Sequence, residues 1–279
     1  MPLPSCTVCL CVKDVEPFVR PVFSNIMKMS EIFNIEAIIF FIDKGEDDTL
    51  GEISRVSKSY SEFFEPSKIS IIENEETQLS SRTERISLGR NALVKHVEEN
   101  FSEVEYFVMM DGDDVSSGNF DYLGIEKFLV RDDWDSISFN RKNYYDIWAL
   151  CYDPFIHHMW SFTTREHCLS VYKIMKEDIT DKLQRLDDGE LLECYSAFNG
   201  FAIYRTKKFL GCNYDGSKQE LFPREQIIEY QEKLESDFSL EGIRVDFSKS
   251  SNCEHASFHI QAINQNGAKI RICKDILFD

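Results

Sequence analysis

The chain has 279 residues, 43% of them hydrophobic and 13% aromatic, and a formal charge of −18. That length buries a substantial core in one large or two modest domains, and that composition excludes a disordered or fibrous chain. The acidic balance argues against a nucleic-acid or anionic-membrane partner, because both reward a basic face.

Ser5 to Val12 reads as a strand, and Val19, Val22, Phe23, Ile26 and Met27 then form an apolar stripe at helical spacing. Glu36 to Ile42 reads as a second strand, Asp48 to Phe64 as a more polar helix, and Lys68 to Ile72 as a short third strand. Residues 84 to 101 make a helix whose Leu93, Val94, Val97 and Phe101 share one face, and the strand Tyr106 to Met110 follows. Strands separated by helices predict an α/β fold around a parallel sheet with right-handed crossovers. The second half is less regular. Trp134 to Phe139, Ile243 to Phe247 and Ala268 to Ile272 read as strands, and Leu169 to Lys182 and Pro223 to Leu234 as helices. Between them lies an aromatic-rich segment with Tyr144, Tyr145, Trp148, Tyr152, Phe155 and Trp160. No repeat or linker divides the sequence. It reads as one domain over 1–279, with residues 1–115 binding a nucleotide and 116–279 shaping an acceptor pocket.

Nine cysteines are scattered along the chain, and the single CxxC, Cys6 to Cys9, has no second pair to complete a zinc site. On a strand its odd spacing sends the two thiols to opposite faces. Buried free thiols in a reducing compartment are the expectation. No apolar run approaches the roughly 20 residues needed to span a bilayer, and no basic region followed by an apolar block opens the sequence. The expectation is a cytoplasmic chain without a transmembrane segment.

The segment that carries chemistry is Glu105-Tyr-Phe-Val-Met-Met-Asp-Gly-Asp-Asp114, an apolar strand running into three carboxylates around Gly112. Buried carboxylates are costly without a cation. The C-terminal end of a parallel strand is where open α/β sheets bind ligands. A divalent cation holding a diphosphate suits those hard oxygens, with Mg²⁺ or Mn²⁺ as the ion. An acidic turn after a strand is the plain alternative.

Three further segments accompany it. Arg82, Arg85, Arg90 and Asn91 lie at or near a helix N-terminus, where guanidinium groups suit a diphosphate or a base edge. They could equally be surface arginines pairing with Glu84 and its neighbours. Asn199-Gly200 sits among aromatics before an apolar strand and permits close approach of backbone to a ligand, or simply makes a turn. Glu254 is a candidate general base. His255 and His259, which share a helix face at i, i+4, are candidate metal ligands or satisfied structural residues. The pair His157-His158 has no spaced partner and is left structural.

Taken in order, these segments resemble the GT-A fold of nucleotide-sugar-dependent glycosyltransferases. Asp111-Gly-Asp113 looks like its DxD motif, Arg90-Asn91 its Arg-Asn pair, Asn199-Gly200 its glycine loop, and Cys253-Glu-His255 its Glu-Asp motif. Asn143-Tyr-Tyr-Asp-Ile-Trp-Ala-Leu150 is similar to a segment of fungal capsule mannosyltransferase-like proteins, with relatives among glycosyltransferases of large algal viruses. The resemblance implies a Rossmann-like, mostly parallel central sheet flanked by helices, with an irregular acceptor-side half. It implies transfer of a hexosyl or pentosyl group from a UDP- or GDP-sugar to a hydroxyl of an oligosaccharide or glycoprotein acceptor. Asp111, Asp113, His255 and His259 would be the metal ligands, and Glu254 or His255 the catalytic base. Asp14, Asp43, Arg82, Arg85, Arg90, Asn91, Asp111 and Gly112 would bind the nucleotide. Tyr145, Asp146, Trp148, Asn199 and Gly200 would form the sugar or acceptor pocket. His255 stands where the motif has its second acid, and no histidine follows Ile272. Two rival readings remain. Met110-Asp-Gly-Asp-Asp-Val115 also fits a haloacid-dehalogenase-like phosphatase, and a degenerate site would leave a non-catalytic sugar-nucleotide-binding module.

Overall fold

In the computed structural model, the structure describes residues 2–62, 64–74, 81–157, 159–217, 221–248 and 252–279. The strands are β1 (Ser5–Val12), β2 (Asn34–Ile42), β3 (Ile69–Glu73), β4 (Tyr106–Asp111), β5 (Ser136–Asn140), β6 (Leu191–Cys194), β7 (Phe201–Arg205) and β8 (Ile270–Ile276). The helices are α1 (Glu16–Met29), α2 (Thr49–Ser59), α3 (Arg82–Asn100), α4 (Glu126–Leu129), α5 (Arg165–Arg185), α6 (Arg224–Phe238) and α7 (Glu254–Asn266). His158 and Phe63 lie outside the described residues. The expected strand Ile243 to Phe247 does not form. Val245 makes one isolated antiparallel bridge to Phe162, and no described strand lies beside the segment to extend it.

The eight strands form one sheet in the order β3-β2-β1-β4-β7-β5-β8-β6. β3, β2, β1 and β4 are mutually parallel, and β5 and β8 run the same way. Only β7 and β6 run against them. This is the mostly parallel α/β sheet that the alternating first half predicts. The chain builds outward from β1 to β2 and β3, then crosses back to place β4 on β1's other side. Such a reversal opens a crevice beyond the carboxyl ends of the strands. Register puts those ends level, since Val12 pairs with Ile42 and Cys11 with Asp111.

Period-two alternation divides the core between the two sheet faces. Cys6, Val8, Leu10 and Val12 point to one face with α1's Val19, Val22, Phe23 and Ile26. Cys9 points to the other with α3's Leu93, Val94 and Val97. The two thiols of the CxxC are therefore on opposite faces, and all nine cysteines are free. Among the described residues, no helix is long and apolar enough to cross a membrane.

Close packing sets α3's height above the sheet. A Cβ on Gly89 would stand 2.6 Å from both Cys11 Sγ and the Phe41 ring. Alanine is intrinsically better in a helix by about 1 kcal/mol, yet overpacking a buried contact costs about 1–3 kcal/mol. Gly89→Ala is therefore expected to lower the denaturant midpoint of unfolding; an equal or higher midpoint would show that α3 can lift without cost.

Candidate active site

The crevice contains a cleft of about 520 Å³. Lys13, Asp14 and Asp43 border it from the ends of β1 and β2, and Arg82, Arg85 and Arg90 from α3. Asp111, Gly112 and Asp113 border it from the end of β4, and Tyr145, Asp146 and Trp148 from the loop after β5. Phe198, Cys253, Glu254 and His255 complete the lining. A neighbouring pocket of about 350 Å³ shares Asp14 and Asp43 and adds Asp47, Glu73 and Asn74.

Arg90 is the hub. It is buried and paired with Glu254 of α7, and its Nη2 lies 3.3 Å from Asp111 Oδ1 of β4. Its guanidinium stacks 4.8 Å from the Phe198 ring and 5.8 Å from the Tyr214 ring. Burial opposes its charge, but Glu254 and Asp111 outweigh that and raise its proton affinity. Arg90 thus ties three elements together instead of standing open to a phosphate, and Glu254 is held by Arg90 instead of standing open as a base.

Asp111's other oxygen accepts the Tyr145 hydroxyl at 2.9 Å. Gly112 is required by space, because a Cβ there would lie 2.4 Å from Val12 Cγ1. Asp113 caps a 3-10 turn, accepting Val115 N–H at 3.1 Å. Burial, then Asp111, push the Asp113 carboxyl up to about 6. Asp146 accepts Ala149 N–H at 3.2 Å. Burial, then Asp111 and Glu254, push it up to about 7. These shifts mark a cleft short of positive charge on this side.

Further positive charge lies beside the ends of β1 and β2. Arg85 Nε is 3.5 Å and Lys13 Nζ 3.9 Å from Asp43, whose other oxygen accepts from Asn74 at 2.8 Å. Arg82 is exposed at the start of α3, where the N-cap Ser81 makes no side-chain cap. Asp14, at φ 52°, accepts the N–H groups of Glu46 and Asp47 and shapes the turn after β2.

Four sequence-predicted residues have other work. Asn91 grips the Tyr214 backbone, donating to its carbonyl at 2.8 Å and accepting its N–H at 2.7 Å. Asn199 is buried; its Oδ1 accepts the N–H groups of Tyr145 and Asp146, and its Nδ2 donates to Phe139 O. Gly200, at φ 86°, has Val115 and Tyr145 where a Cβ would go. Asn199-Gly200 therefore props the cleft wall from behind. His259 is not in the lining, because its nitrogens meet Ser196 Oγ at 2.9 Å and Tyr204 Oη at 3.1 Å. Burial pulls His259's proton affinity down to about 3.

His255 does line the cleft, stacked 4.1 Å from the Phe198 ring, and both its ring nitrogens lack a partner among the described residues. Burial, then Arg90, lowers its proton affinity, keeping it neutral. Sequence reasoning missed Phe198 and Arg141. Arg141 donates to Asn199 O and Val115 O behind the acidic cluster. A cation directly following a strand end was the available signal.

The chain matches no protein-family model and no curated protein sequence. Solved structures that resemble it include the mannosyltransferase PcManGT from Pyrobaculum calidifontis in complex with GDP-Man and Mn²⁺, at 12% identity and TM-score 0.45, over 77% of this chain and 48% of that one. S. aureus TarS 1-349 in complex with UDP is another, at 12% identity and TM-score 0.47, over 98% and 59%. A third is glucosyl-3-phosphoglycerate synthase from Mycobacterium tuberculosis in complex with Mn²⁺, UDP and phosphoglyceric acid, at 7% identity and TM-score 0.47, over 98% and 69%. The chain spans about half to two-thirds of the length of these structures. At such identities and scores, the chemistry has to be read from the cleft itself.

The raised carboxyls carry a stability signature. Asp113 and Asp146 bind protons more tightly folded than unfolded, where an aspartate titrates near pH 4. Their contribution is fully present below about pH 4 and is lost as pH rises through about 6 and about 7. In chelator-treated buffer the melting midpoint is expected to fall from pH 5.5 to pH 8, and Asp146→Asn to flatten that fall. An unchanged slope in the variant would show that Asp146 titrates normally.

Proposed function

We propose that this chain is a GT-A-type, metal-dependent glycosyltransferase that moves a sugar from a UDP- or GDP-sugar to a hydroxyl of a glycan acceptor. One observation carries the reading: at the switch point of the sheet, a single cleft is lined both by the carboxylates of Asp111, Asp113 and Asp146 and by Lys13, Arg82 and Arg85. A diphosphate held between a divalent cation and guanidinium groups satisfies both sets of charges at once.

The donor set fits Mn²⁺ or Mg²⁺. Asp111 and Asp113 offer hard oxygens, and Asp113's raised proton affinity marks a missing positive charge. Among the described residues no group of three or more His, Cys, Asp or Glu side chains could hold a metal ion. This is ordinary for Mg²⁺, which is commonly held by one or two carboxylates with water and substrate phosphates. When bound, such an ion neutralises charge on the departing diphosphate.

The remaining roles follow from position. Arg85 and Arg82 receive the phosphates, and Asp14 and Asp43 border the nucleoside, with room for it in the adjoining pocket. Tyr145 and Trp148 cover sugar C–H surface, as aromatic faces do. His255 is neutral and buried against the cleft, with neither ring nitrogen partnered among the described residues. The front half thus serves the donor and the back half the acceptor. Nine free cysteines accord with a reducing compartment such as the cytoplasm. The phosphatase reading is disfavoured because its nucleophile normally ends the first strand of the domain, whereas Asp111 ends the fourth.

Thermal shift tests the proposal. UDP or GDP with Mn²⁺ is expected to raise the melting midpoint more than nucleotide and metal do separately, by the equivalent of about 2.7 kcal/mol at a hundredfold excess over Kd. Asp113→Ala should abolish the metal-dependent part and leave the fold intact. Stabilisation by aluminium fluoride but by no nucleotide would favour the phosphatase instead.

A further inference from the structure

Resting on the glycosyltransferase reading, we infer that Asp146, and not Glu254 or His255, is the group that takes the proton from the attacking hydroxyl. A general base must face the cleft, keep a lone pair clear of cations and remain ionised at working pH. Each other carboxylate or imidazole beside the end of β4 fails one condition. Glu254 is bound to Arg90 through Oε1 and sits beside Cys253. Asp111 is engaged at both oxygens by Arg90 and Tyr145. Asp113 caps its turn, accepting Val115 N–H, and is committed to the cation in the proposed function. His255 lies between Phe198 and Tyr214 with Arg90 near, which disfavours its imidazolium.

Asp146 meets all three. It lines the cleft, makes no salt bridge among the described residues, and has one oxygen anchored by Ala149 N–H. Its backbone is fixed, because buried Asn199 accepts the N–H groups of both Tyr145 and Asp146. The charges facing it are Asp111 from β4, Arg90 from α3 and Glu254 from α7, with the hydroxyls of Tyr144 and Tyr145 and the Cys253 thiol alongside. Burial, then Asp111 and Glu254, raise its proton affinity to about 7 in the metal-free cleft.

The step balances. The acceptor oxygen forms a bond to the anomeric carbon with its own electron pair as the bond from that carbon to the diphosphate oxygen breaks. That second pair leaves on the diphosphate, and the acceptor's proton passes to Asp146. A base on the side opposite the leaving group inverts the anomeric centre.

Donor hydrolysis, with water as the acceptor, tests this without knowledge of the natural glycan. A panel of UDP- and GDP-sugars with Mn²⁺ is first screened for binding by calorimetry, and kcat is then followed from pH 5.5 to 8.5 on the donor that binds. Wild type is expected to show an acid limb and a product of inverted configuration. Asp146→Asn should keep donor affinity within threefold yet lose at least about 100-fold in kcat, together with the acid limb. Glu254→Gln should slow turnover but retain the limb. A smaller loss in Asp146→Asn, a persisting limb, or a limb removed by Glu254→Gln instead would overturn the assignment while leaving the glycosyltransferase reading standing. Failure of every donor to bind wild type would remove that reading, and this inference with it.

Discussion

The Arg90 guanidinium, enclosed by Glu254 and Asp111, is the interaction on which the cleft's geometry depends. It joins the middle of α3, the end of β4 and the start of α7, three elements far apart in sequence. Taking an arginine out of water is expensive, and a buried pair repays that only with good geometry and further contacts. Here two carboxylates and two aromatic faces supply them. Glu254 at the first turn of α7 also meets the positive end of that helix's dipole. Removing one partner of such a pair typically costs about 3–5 kcal/mol. The arrangement specifies a shape more than it adds net stability.

That hub leaves the rest of the cleft out of balance. Asp111, Asp113, Asp146 and Glu254 line the cleft with a single buried guanidinium, and burial, then the neighbouring carboxylates, makes two of the four hold protons well above the usual range. Lys13, Arg82 and Arg85 also line the cleft, two of them committed to Asp43. A ligand carrying both a cation and a polyanion completes this pattern, and neither alone does. The overall charge of −18 sharpens the point, since a bare diphosphate would approach an unfavourable field.

Much of this was legible in the sequence because it is local. Periods of 2 and 3.6 located β1, β2, β4, α1 and α3, and the odd spacing of Cys6 and Cys9 gave their faces. The carboxylates after β4, and Asp14 and Asp43 after β1 and β2, follow from strand ends alone. What failed was assigning polar residues whose partners are distant. Asn91 is fixed by Tyr214, Asn199 by the loop after β5, and His259 by Ser196 and Tyr204. A polar side chain on an apolar face looks the same in sequence whether it binds a ligand or satisfies a buried backbone. Glu254 and Arg90 were chosen as site residues and do line the cleft, but their pairing across 164 positions decides their role. The missing strand at Ile243 to Phe247 shows the same limit, because a strand needs a neighbour that local pattern does not supply.

The most direct test of the account is anomalous diffraction from a crystal of the protein with UDP and Mn²⁺. The account predicts a manganese peak between the carboxylates of Asp111 and Asp113, with the diphosphate bridging from it toward Arg85. Nucleotide bound with no manganese beside those aspartates, or manganese bound at other residues, would contradict it.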